Sequence, residues 1–121
     1  MKTFRRKIAE YEANLYSTEQ PSFWARLFGS RKKGGELEFK AYDDGEKVLE
    51  VELYGVKAPH GAAVSVVIDN APVCEVRVSQ GHGRLLLSTA QGESLPDVSN
   101  GSPAEVRYQG ETLLLGMFRP D

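Results

Sequence analysis

Cysteine occurs once in this chain of 121 residues. One cysteine cannot close an intrachain disulfide, which excludes a small secreted disulfide scaffold. Histidine is almost as scarce: His60 stands in Pro59-His60-Gly61 and His82 in Gly81-His82-Gly83. Neither has zinc-type spacing to a second ligand, so no metal and no cofactor is expected. Long apolar runs are missing too. The opening MKTFRRKIAEYEANLY is basic without an apolar stretch behind it, unlike a secretory signal, and no segment reaches membrane-span length. A cytoplasmic location is the expectation. No strand-loop-helix phosphate motif accompanies Gly81-His82-Gly83. Asp43-Asp44-Gly45-Glu46 lacks the alternating ligands of a calcium loop.

What is present is alternation. Ala62, Val64, Val66 and Ile68 alternate with Ala63, Ser65, Val67 and Asp69, and Cys74, Val76 and Val78 with Glu75, Arg77 and Ser79. A period of two marks half-buried strands, and Asp69-Asn70-Ala71 between them is turn chemistry. Matching the apolar faces sets Val66 opposite Cys74 and Val64 opposite Val76. Cys74 reads as a buried, inert thiol.

Glu36–Tyr42 and Lys47–Tyr54 alternate in the same way around Asp44-Gly45-Glu46. Face-matching pairs Phe39 with Val51, Lys40 with Glu50 and Glu38 with Glu52. Opposed carboxylates destabilise a sheet, so this face invites a cation. Arg84–Thr89, Ala104–Gln109 and Glu111–Phe118 complete seven strands, with Gln109-Gly110-Glu111 as a further turn. A faint echo sets Gly61 on Gly101, Val66 on Val106 and the Asn70 turn on the Gly110 turn.

The N-terminal part reads differently. Phe4, Ile8, Tyr11 and Leu15 fall on one stripe of a four-turn helix. Pro21 ends that helix, Ser22 caps a short second one over Phe23–Phe28, and Gly29 terminates it. Gly34-Gly35 reads as a hinge. Residues 1–35 carry eight basic and three acidic side chains, +5, whereas residues 36–121 carry seven and fourteen, −7.

The expected fold is therefore a mainly β, seven-stranded antiparallel β-sandwich, immunoglobulin-like or a small barrel, with one or two N-terminal α-helices. Residues 1–35 form a basic helical arm and residues 36–121 an acidic β-sandwich domain. Only in general character does the chain resemble small bacterial β-domains. The function expected is a non-enzymatic protein-interaction or assembly module. Its partner-binding residues are Phe23, Trp24, Leu27, Phe28, Arg31, Lys32 and Lys33, engaging a protein partner or a second copy. An aromatic turn beside a basic cluster also suits an anionic membrane surface, the alternative reading. A small enzyme using His60 or His82 ranks below both, since neither histidine has a motif around it. Nucleic acid is disfavoured because the acidic globular part repels phosphate.

Overall fold

The computed structural model describes residues 5–19 and 32–121. Its elements are β1 (Lys7–Ser17), β2 (Lys33–Tyr42), β3 (Lys47–Leu53), β4 (Ala63–Ile68), β5 (Ala71–Arg77), β6 (Gly83–Ser88), β7 (Pro103–Tyr108) and β8 (Glu111–Pro120). They join in one antiparallel sheet of order β5-β4-β7-β8-β1-β2-β3-β6, a nearly closed barrel rather than two facing sheets. The only helical turn among the described residues is a 3₁₀ turn over Thr89–Gln91. No helix there is long and apolar enough to cross a membrane.

The helix expected from Phe4 to Leu15 is thus corrected to a strand, the eighth. Tyr11 and Leu15 satisfy both patterns, but Ala9, Tyr11, Ala13 and Leu15 turn inward while Glu10, Glu12, Asn14 and Tyr16 turn outward. Ile8, part of the helical stripe, is the extra residue of a bulge between Lys7 and Ala9 and is 65% exposed. Lysine, alanine and glutamate favour helix locally. Pairing with β2 on one side and β8 on the other overrides that preference. Phe4 and the second helix expected over 23–28 lie outside the described residues.

Gly34 and Gly35 are strand residues of β2, not a hinge. A side chain on Gly35 would come within 2.9 Å of Glu52 O and Leu53 Cδ2, so β2 and β3 pack closely there. The register of this hairpin also differs from the expected one by two residues. Phe39 opposes Leu49 and Leu37 opposes Val51, with Asp43-Asp44-Gly45 as the loop and Gly45 at φ 90°. A two-residue slip keeps every side chain on its face, which is why alternation alone did not forbid it.

The β4–β5 hairpin has the expected register, Val66 to Cys74 and Val64 to Val76, turning at Asp69-Asn70 with φ of 51° and 64°. Past Val66 a bulge on β5 shifts the pairing to Val67–Pro72, and Val67 is buried beside Val66. The echo at a spacing of forty residues is structural. In the β7–β8 hairpin Val106 opposes Leu114, a bulge follows, and the chain turns at Gln109-Gly110 with φ of 52° and 79°. Gly61 N donates to Val78 O and Gly101 N to Phe118 O, both at 2.8 Å. β4 and β7 pair with Val66 directly opposite Val106, so a pseudo-two-fold axis relates the two hairpins.

The core lies inside the barrel, filled by the inward residues of the strands and by Val56, Leu95 and Val98 from loops. At the seam, the turn Gln80-Gly81 carries the chain from β5 to β6, with Ser79 and His82 exchanging both backbone bonds. Segment 93–99 brings Leu95 and Val98 to the core and is tied to β3 by Lys47, whose Nζ donates to Leu95 O and pairs with Asp97 at 2.7 Å.

Candidate functional site

Alternation along β7, β8 and β1 decides what the barrel shows to solvent on that side. Leu114, Gly116 and Phe118 face inward, which turns Leu115, Met117 and Arg119 outward. Opposite them on β1 stand Tyr16, Asn14 and Glu12, and Pro103 of β7 opposes Met117. Gly116 lets the strands approach this closely: a Cβ there would lie 2.2 Å from Asn14 O. The result is a groove of about 720 Å³ over β1, β7 and β8, lined by these residues and Pro120. Leu115 is 43% and Met117 44% exposed, beside Tyr16 at 37%. One end of the groove is apolar, and at the other the cross-strand neighbours Glu12 and Arg119 supply one charge of each sign.

Next to it the outer face of β1, β2 and β3 is crowded with carboxylates. Glu12 opposes Glu38, Glu38 opposes Glu50, and Glu36 opposes Glu52. The expected pair Glu38–Glu52 does not form; glutamates are opposed in a different register, and cations from β2 and β6 as well as from the basic N-terminal part lie against them. Lys33 pairs with Glu36 at 3.1 Å, Lys40 with Glu38 at 3.5 Å and Arg84 with Glu50 at 3.2 Å. Burial, then the charges of Asp121 and Glu36, push the Glu12 carboxyl above the ordinary carboxylate range, although Lys33 opposes the shift. Glu10 is held below that range by its hydrogen bond from Lys7.

The carboxylates of Glu10, Glu38 and Asp121 lie close enough to hold a cation together. Lys7 on Glu10 and Lys40 on Glu38 already cancel much of their charge. The acidic β2–β3 loop is similarly occupied: Arg5 pairs with Glu46, lies 3.8 Å from Asp44 and stacks 4.0 Å from the Tyr42 ring.

The two histidine loops share one end of the barrel. His60 Nδ1 is 3.3 Å from Ser79 Oγ, and Ser79 pairs with His82. A shallow hollow of about 260 Å³ at His82 is lined by Glu52, Leu53, Gly83 and Arg84, without His60. Among the described residues no carboxylate is hydrogen-bonded to either imidazole, so neither stands in a carboxylate–histidine pair of the triad kind. Cys74 is half-buried, and burial pushes its thiol to about 11, far from the range of a nucleophile.

Of the partner-binding residues expected from sequence, Phe23, Trp24, Leu27, Phe28 and Arg31 lie outside the described residues. Lys32 is exposed and its carbonyl accepts from Ser17 N at 2.8 Å, while Lys33 begins β2 and pairs with Glu36. Sequence reasoning missed the groove because one wall of it, Glu12, Asn14 and Tyr16, sits on β1, read as a helix. The run Leu113-Leu114-Leu115, with Met117 beyond it, was the available signal: three consecutive leucines in a strand cannot all face inward.

No protein-family model, no curated protein and no solved structure matches this chain.

Proposed function

We propose that this protein is a non-enzymatic interaction module that engages a protein partner through the outer groove of β1, β7 and β8. One observation carries the reading: Tyr16, Leu115 and Met117 stand together, each more than a third exposed, on a strand face whose neighbours are carboxylates and lysines. Isolated exposed apolar residues are ordinary, whereas a contiguous set in a groove rimmed by charge is the usual anatomy of a contact surface. Burying one such side chain fully is worth about 1.5–3 kcal/mol, so a few of them supply the energy of a specific complex. The half-buried thiol, and a His60 bonded to Ser79 rather than to a carboxylate, lend no support to competing chemistry.

A photo-crosslinking residue placed at Met117 in living cells tests this, with the same residue at Arg77, an exposed position on β5, as the control. Discrete adducts from position 117 alone are expected. Adducts from neither position, or equally from both, would sink the proposal.

A further inference from the structure

We infer that the occupant of this groove is a second copy of the same chain, bound about a two-fold axis that runs along the seam between β1 and β8. The inference rests on the interaction reading above and names its partner.

An isologous contact buries the same surface on both copies, so the surface must be complementary to itself. A patch of one charge cannot meet that condition, whereas a patch bearing one cation and one anion on either side of the axis can. Glu12 and Arg119 stand side by side across the β1–β8 seam, and both line the groove. Neither closes an ion pair within the chain among the described residues, although other carboxylates of this face, among them Glu36, Glu38 and Glu50, do so. Rotation about an axis parallel to these strands lays β1 of one copy over β8 of the other. It brings Glu12 to the partner's Arg119 and Arg119 to the partner's Glu12. The same rotation sets Tyr16 on the partner's Leu115, because Leu115 directly opposes Tyr16 across the seam. Met117 lies midway along the contact, and Gly116, which faces inward, leaves the outer surface level there.

Burial, and after it the neighbouring carboxylates of Asp121 and Glu36, raise Glu12, and a guanidinium from the other copy would answer its charge. The acidic rows of β2 and β3 flank the axis at a distance, limiting the contact to one face and opposing further stacking.

The test is the association state of the whole chain by sedimentation equilibrium, first as wild type and then as Glu12→Arg and Arg119→Glu. Wild type is expected to form dimers at micromolar concentration. Each single variant, placing like charges at both symmetry-related contacts, should weaken the dimer at least tenfold. Mixing the two variants in equal amounts should restore it, because every contact in the mixed dimer is again oppositely charged. Circular dichroism of each variant alone checks that the fold survives. A wild type that stays monomeric, or variants whose mixture gains nothing over either alone, would overturn the self-association. If the wild type is monomeric while position 117 still crosslinks to a chain of another mass, the interaction reading stands and only its partner changes.

Discussion

Glu12 shows how one side chain can be set against the stability of the fold that holds it. Its neighbours across the strands are Glu38 and Arg119, and its carboxyl is raised by burial and by the charges of Asp121 and Glu36. A carboxyl whose folded pKa exceeds its unfolded one binds more protons in the native state. Stability from this residue is therefore full below its ordinary value near 4.5 and falls as pH rises through the raised value. Glu10, held low by Lys7, acts in the opposite direction, losing its contribution as pH falls. Glu12→Gln removes only the first effect. In dilute protein, urea titrations between pH 4 and 8 should show a flatter decline for the variant than for wild type, with no loss of stability at pH 7. An equal decline in both would mean that Glu12 titrates as if unfolded. The same variant should dimerise less well, so that fold stability and association move apart.

At the scale of elements, the hairpins were the legible part of the sequence and β1 the illegible one. Asp69-Asn70 and Gln109-Gly110 carry positive φ at both central positions, the geometry that two-residue hairpin turns need and that Asn and Gly supply most easily. Polar turn chemistry between alternating runs could thus be read directly, as was the pairing of Val66 with Cys74. Alternation fixes a face but not a register, so Phe39 was matched to Val51 rather than Leu49. For β1 even the period was ambiguous, because Tyr11 and Leu15 fit a spacing of two and of four. Its two neighbours in the sheet resolve the choice, and they are distant in sequence. The shared build of the two hairpins makes a prediction about their turns. Gly110→Ala must hold an alanine at φ 79°, a conformation costing roughly 1–2 kcal/mol for a residue with a Cβ. Nothing lies within 4 Å of that position, so the loss is backbone strain alone. Asn70→Gly, at φ 64° in the equivalent turn, relieves strain and should be neutral or slightly stabilising. Urea midpoints of the two variants should move in opposite directions or, for Asn70→Gly, stay put. A Gly110→Ala midpoint equal to wild type would contradict the turn geometry.

For the whole molecule, the position of β1 matters more than its ambiguous sequence. It stands fifth of eight strands, between β8 and β2, and joins the four strands β5-β4-β7-β8 to the three strands β2-β3-β6. The opposite signs of charge before and after residue 35 are answered inside this sheet where the chain is described: Arg5 meets Glu46 and Lys33 meets Glu36. The two groups of strands also meet at the seam, where β5 runs through Gln80-Gly81 into β6. Ala13 and Leu15 of β1, fully buried, pack into the common core. Removing residues 1–17 therefore opens backbone donors and acceptors on both β8 and β2 and leaves a slot in the core. A basic arm lying on a finished domain would be dispensable; a strand in the middle of the sheet is not. The truncated chain should lose amide dispersion in its NMR spectrum and cooperative thermal unfolding, with soluble yield falling as the bared edges of β8 and β2 associate. A truncated protein that keeps a cooperative transition and dispersed amides would show that the remaining seven strands close a core without β1, and the groove built on Glu12, Asn14 and Tyr16 would then have to be sought elsewhere.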